Sequence, residues 1–158
     1  MEIRFARPED VPQILALLRQ VGLVHHNGRP DIFRSNAQKY GASQVLALLE
    51  SPNTPIFVAA EKETVLGYGF CVLKTYTNDP VMQDYKTLYL DDLCVAESCR
   101  RQGVGKLLYD AICSYAKSQN CNSLTLNVWC CNESAMKFYE KCGMKPQKIG
   151  MEASLEVD

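Results

Sequence analysis

The stretch from Leu88 to Val128 constrains the fold more than any other part of the chain. Leu88 to Val95 reads as a strand, and the basic run Arg100-Arg101-Gln102-Gly103-Val104-Gly105-Lys106 follows it. Val104, Leu107, Leu108, Ala111, Ile112 and Tyr115 then recur at helical spacing over three turns. Ser123 to Val128 alternates as a second strand. Strand, helix and strand in this order fit a parallel pair joined by a crossover helix. The class is therefore α/β, or α+β with a mixed sheet.

The remaining elements are compatible with that core. Residues 2 to 6 read as a strand, and Pro8-Glu9-Asp10 as an acidic helix entry. Ile14, Leu15, Leu17, Leu18 and Val21 make one apolar helical face, which Gly22 is expected to stop, with a loop over 22–36. A short helix is expected from Ser43 to Glu50. Ile56 to Glu61 and Val65 to Tyr76 form a hairpin. Ala135, Phe138, Tyr139 and Cys142 mark another helix, closed by Gly143. Met151, Ala153, Leu155 and Val157 alternate with polar residues, the pattern of a half-buried final strand.

Composition narrows the function classes. A chain of 158 residues is expected to be a single domain, 1–158, able to bury roughly 70% of its unfolded surface without a metal or disulfide staple. Its formal net charge of -1 disfavours a broad nucleic-acid-binding face. No apolar run reaches the ~18 residues of a membrane span, and Met1 to Phe5 lacks a signal-peptide core. The eight cysteines contain no C-x-x-C pair, and the only histidines, His25 and His26, are remote, so no metal site is expected. Free thiols and absent targeting signals point to a cytoplasmic protein. Most cysteines, the Cys130-Cys131 pair included, read as small core hydrophobes.

The glycine loop carries the first chemistry. Gly103 and Gly105 allow close backbone approach, the following helix offers free N–H groups and its positive dipole end, and Arg100, Arg101 and Lys106 add charge. Such a site suits a phosphate or pyrophosphate. It is neither a P-loop nor a dinucleotide fingerprint, because Leu108 stands where the third glycine would be.

The loop also resembles the signature [QR]-x-x-G-x-[GA] of the GNAT superfamily of N-acetyltransferases, matched by Arg100 to Gly105. A second signature of that family is met by Asn132, Ala135, Phe138, Tyr139 and Gly143-Met144, and Tyr89 to Val95 resembles its central strand, especially in the diamine-acetyltransferase branch. The resemblance implies a twisted mixed sheet of about six to seven strands, flanked by about four helices, with two central parallel strands splayed apart. It implies acetyl-CoA as cosubstrate, held by Leu93, Cys94 and Val95, by Arg100, Arg101, Gln102, Gly103, Val104, Gly105 and Lys106, and by Asn132, Ala135 and Tyr139.

The implied reaction is direct attack of a primary amine, on a small molecule or a peptide, upon the thioester. Tyr139 stands at the family's general-acid position, and a phenol suits a thiolate leaving group. The Val95 N–H is the candidate oxyanion donor. Asp91 aligns with the diamine-type glutamate as candidate base. It neighbours Asp92, and strand alternation would turn the two to opposite faces. His25 to Phe33 is the expected acceptor loop, and Tyr76, Tyr85 and Tyr89 are further candidates for an acceptor pocket or subunit contact. Cys94 beside Asp92 is a poor nucleophile, since the carboxylate raises a thiol pKa. The family also implies a homodimer. A non-catalytic acyl-CoA-binding or sensing domain on the same fold is the alternative reading.

Overall fold

The computed structural model describes residues 1–156. Five strands lie in one sheet in sequential order: β1 (Glu2–Phe5), β2 (Ile56–Glu61), β3 (Thr64–Tyr76), β4 (Tyr85–Val95) and β5 (Ser123–Thr125). β1 to β4 pair antiparallel, and only β4 with β5 is parallel. Four α-helices accompany them: α1 (Val11–Gly28), α2 (Ala42–Glu50), α3 (Val104–Ser118) and α4 (Glu133–Lys141). The fold is the mixed GNAT-type architecture expected, with fewer strands.

Each face of the sheet has its own core. Ile14, Leu17 and Leu18 of α1 and Val45 of α2 pack on Val58, Tyr68 and Phe70. Leu108, Ile112 and Ala116 of α3 pack on Phe57, Cys71, Leu88 and Leu90. The α3 stripe thus buries against the sheet that its own crossover joins, as its period demands. No helix among the described residues is long and apolar enough to cross a membrane.

Three expectations are corrected. Gly22 does not stop α1, which runs on to Gly28 and carries His25 and His26 on its last turns. A Cβ on Gly22 would lie 2.0 Å from the Ala37 carbonyl oxygen, so this glycine lets the following segment cross the helix closely. The final strand is also missing among the described residues. Met151, Ala153 and Leu155 are exposed and unpaired, Val157 lies outside the described residues, and β5 stops at Thr125 rather than Val128. A strand needs a partner to satisfy its backbone, and β5 is the outermost strand, with none on its far side among the described residues. Finally, only Cys71 and Cys94 of the eight cysteines are buried, while Cys130 and Cys131 are exposed on the turn before α4.

One ion pair ties β1 to α1. Arg4 donates from Nη1 and Nη2 to Oδ2 and Oδ1 of buried Asp10, at 2.7 and 3.0 Å, and the Arg7 N–H donates to Oδ2 at 2.7 Å. The Arg4 hydrogen bonds hold the Asp10 carboxyl below its ordinary value, against the penalty of burial. A depressed carboxyl stabilises the fold above its unfolded pKa of about 4 and loses that contribution as pH falls through the folded value. Asp10→Ala is expected to cost about 3 kcal/mol at pH 7. Urea unfolding across pH should show the difference from wild type shrinking below about pH 4.

Candidate active site

The site begins where β4 parts from β5. The parallel pairing covers only Thr87, Leu88 and Tyr89, opposite Ser123, Leu124 and Thr125. β4 then continues to Val95 with β3 on one edge and, among the described residues, no strand on the other. Ala96 donates its N–H to Leu66 on the β3 side, at 2.8 Å. Strand alternation therefore turns the N–H groups of Leu93 and Val95 toward the open edge. This is the splay between parallel strands, and it leaves unpaired backbone donors in a row.

A β-bulge sets the side chains. The β3–β4 register shifts so that Phe70 faces Asp92 and Cys71 faces Leu90, which leaves Asp91 as the extra residue. Leu88 and Leu90 before it, and Leu93 and Val95 after it, all serve the α3-side core. Asp91 and Asp92 consequently turn to the same side, toward α1 and α2, and the expectation of opposite faces is corrected.

Their environments differ. Asp91 is claimed by Lys39, whose Nζ lies 2.9 Å from Oδ1, and by Tyr40, whose hydroxyl donates to Oδ2 at 2.7 Å. Asp92 accepts from the buried Tyr68 hydroxyl at 2.8 Å. Enclosure by the protein pushes the Asp92 carboxyl above its ordinary range, against the Tyr68 bond and the more distant Lys39 charge. An aspartate raised in this way is closer to neutral-pH proton transfer than an ordinary carboxyl.

Tyr139 reaches the cleft from α4. Asn132 caps that helix, with Oδ1 accepting the Ala135 N–H at 3.2 Å, which leaves its amide NH2 to donate elsewhere. Tyr139 stands seven residues on, two turns along the same face. Its ring packs 5.1 Å from Phe138 and 6.4 Å from Tyr109. Burial, then the Asp92 charge, raise its pKa, so the phenol keeps its proton across the physiological range.

The basic loop closes the other end. Arg101 and Gly103 take left-handed backbone at φ 61° and 81°, and Gly103 caps α3. Leu107 is the first helical N–H with an acceptor there, Gly103 at 3.0 Å, so those of Val104, Gly105 and Lys106 point out of the helix end. The Lys106 ammonium does not join them, because it pairs with Asp110 at 2.5 Å. Arg100 leans back so that Nε donates to the Val95 carbonyl at 3.4 Å. These free N–H groups, framed by Arg100 and Arg101, are the donor set that a pyrophosphate needs.

Several contributors escaped the sequence reading. Gln20 donates from Nε2 to the Val95 carbonyl at 3.1 Å and accepts the Glu97 N–H at 3.1 Å, which braces the end of β4 against α1. Its only signal is a polar residue at the edge of an apolar stripe. Tyr40, Lys39 and Tyr68 come from elements remote in sequence, and nothing local marks them.

The segment His25 to Phe33, expected to form an acceptor loop, lies partly on helix, since α1 runs to Gly28. A cavity of about 250 Å³ lies among Val24, His25, Phe33, Trp129, Cys131 and Asn132. Phe33 stands 5.0 Å from the His25 ring and 5.2 Å from that of Trp129. Of the candidate tyrosines, Tyr85 is bonded to Ser123, and Tyr89 accepts from Asn127 at 3.2 Å beneath the Lys74 ammonium. Tyr76 pairs with Tyr85 at the far end of β3.

Cys94 is buried beside Asp92, and its thiol is pushed up to about 12, first by burial and then by that carboxylate. It will not form a thiolate near neutrality. At pH 8, a thiol reagent should label Cys130 and Cys131 first, and label Cys94 only after denaturation. Mass spectrometry of the peptides checks this, and rapid labelling of native Cys94 would contradict the burial.

Comparison with known proteins agrees with the geometry. The profile of the Acetyltransferase (GNAT) family matches residues 25–144. Thialysine N-epsilon-acetyltransferase of Mus musculus is 23% identical over 146 residues, covering 89% of this chain and 82% of that protein. A crystal structure of a mutant of the BH1408 protein from Bacillus halodurans is 36% identical, with a TM-score of 0.94 over 99% of this chain and 100% of that one. Aminoglycoside N-acetyltransferase AAC(6')-Iy in complex with CoA, at 15% identity, shares the fold with a TM-score of 0.73, over 99% of this chain and 100% of that one. The chain belongs to the acetyltransferase (GNAT) family.

Proposed function

We propose that the protein transfers an acetyl group from acetyl-CoA to a primary amine that arrives as a cation, on a small molecule or a peptide. The observation that carries this reading is the open edge of β4, which runs toward the free N–H groups opening α3. Acetyl-CoA supplies an activated thioester when bound. The N–H groups of Val104, Gly105 and Lys106, with Arg100 and Arg101, suit its pyrophosphate, and Gln102 and Gly103 shape the loop. The open edge from Leu93 through Cys94 to Val95 offers backbone to the pantetheine amides, and the Asn132 amide faces them from α4. Ala135 is small enough to leave the passage clear.

Three groups divide the chemistry. The Val95 N–H, unclaimed by β3, is the donor for a carbonyl oxygen that gains negative charge. Tyr139 keeps its proton and delivers it to the departing sulfur. Asp92 draws in the cationic amine and accepts its proton, directly or through water. Asp91, engaged by Lys39 and Tyr40, steadies the wall beside it. A cation fits the carboxylates and the aromatic rings of Phe33 and Trp129.

The test is thiol release from acetyl-CoA against a panel of diamines, amino acids, aminoglycosides and lysine peptides. Tyr139→Phe should lower kcat about a hundredfold with little change in KM for acetyl-CoA. Tight acetyl-CoA binding without release on any amine would favour a sensor instead. Asp92 must be ionised to act, so wild-type kcat/KM should rise with pH through its elevated pKa. Asp92→Asn should lose that limb and raise KM for cationic amines.

A further inference from the structure

The cavity between the end of α1 and the turn before α4 has a lining that attraction for a cation explains only in part. Three rings, those of His25, Phe33 and Trp129, stand around it. Phe33 packs tilted on His25 and edge-on to Trp129, at an interplanar angle of 85°. An edge-to-face pair commits one ring face and leaves the others open. Trp129 remains 42% exposed.

The rings are held before any ligand arrives. The Phe33 N–H donates to the Arg29 carbonyl at 2.9 Å, and its carbonyl accepts from His26 Nδ1 at 2.7 Å. Such preorganisation lowers the cost of binding. The Cys131 sulfur rests against Gly28, where a Cβ would lie 2.8 Å from it. Sulfur beside aromatic rings is a soft, polarisable surface.

Charge and size narrow the occupant. No acidic residue lines the cavity. Arg29, directly after the lining residue Gly28, takes both Asp31 at 2.7 Å and Glu152 at 2.5 Å, which leaves neither to meet a second ammonium. An apolar cavity of about 150 Å³ already takes a benzene ring. This one, at about 250 Å³, has room for a ring and a short carbon chain. It also adjoins the reacting groups: Asn132 lines it and caps the helix that carries Tyr139, and the His25 charge bears on the Asp92 carboxyl.

We propose that this cavity selects an arylalkylamine, with its flat apolar ring among His25, Phe33 and Trp129 and its ammonium at Asp92. The assignment of the reacting nitrogen rests on the acetyl-transfer reading, whereas binding of the ring does not.

Trp129 is the only tryptophan of the chain, so its emission reports on this cavity without any turnover. With CoA present, phenethylamine should change that emission saturably and bind at least about tenfold tighter than putrescine. Phe33→Leu should weaken phenethylamine about fivefold and leave putrescine unaffected. Cys131→Leu, which fills the cavity floor, should weaken phenethylamine as well, and circular dichroism checks that both variants fold. An unchanged emission, equal or tighter binding of putrescine, or a phenethylamine affinity that survives both substitutions would overturn the proposal. Thiol release from acetyl-CoA is then measured on the two amines. Ring binding without release on any amine upholds the ring site and overturns the transfer reading. Release on putrescine with no preference for the ring does the reverse.

Discussion

Everything at the candidate site depends on β4 being paired, among the described residues, along one edge only beyond Tyr89. A buried strand normally spends its N–H groups on two neighbours, and an unsatisfied backbone donor is costly. Here that cost falls on Leu93 and Val95, whose N–H groups face away from β3. α3 holds the arrangement open: it crosses from the end of β4 to the start of β5, and its buried face fixes both. Gln20 keeps the loose end of β4 from fraying by bonding the Val95 carbonyl and the Glu97 N–H in one step.

Two aspartates show how environment, not residue type, assigns work. Asp10 meets a guanidinium that answers both oxygens, and its carboxyl is driven down. Asp92 meets a phenol and an enclosing wall, and its carboxyl is driven up. The first pairing serves the junction of β1 and α1. The second joins β4 to the β3 tyrosine Tyr68. Asp91 differs from both, with its charge matched by Lys39 from the segment that leads into α2.

Much of this architecture is legible in the residues themselves. The α3 and α4 stripes and the β2–β3 hairpin follow from period, the Asn132-to-Tyr139 spacing from the resemblance to the family, and the basic loop reads as an anion site. What stayed hidden depends on contacts between distant segments. Gly22 looks like a stop because local pattern cannot show that Ala37 passes over it. The bulge at Asp91 cannot be seen in an alternating run, since it arises from the pairing with β3 and reverses the facing of one aspartate. The period-two run from Met151 to Leu155 is a strand pattern that meets no strand among the described residues. Cys130 and Cys131 lie on a turn, where an apolar residue type says little about burial.

The sequential strand order carries a kinetic consequence. β1 to β4 are neighbours in sequence order, and the β2–β3 and β3–β4 pairs are hairpins, so loop closure is inexpensive there. The single parallel pairing must wait for a whole helix to be laid down and returned, for only three rungs of ladder. Thinly bonded regions of this kind are where local opening costs least. The seam beside the cleft, held by three rungs, is such a region. A ligand bridging β4 and α4 would close that weak seam, and its concentration would set how long the fold survives.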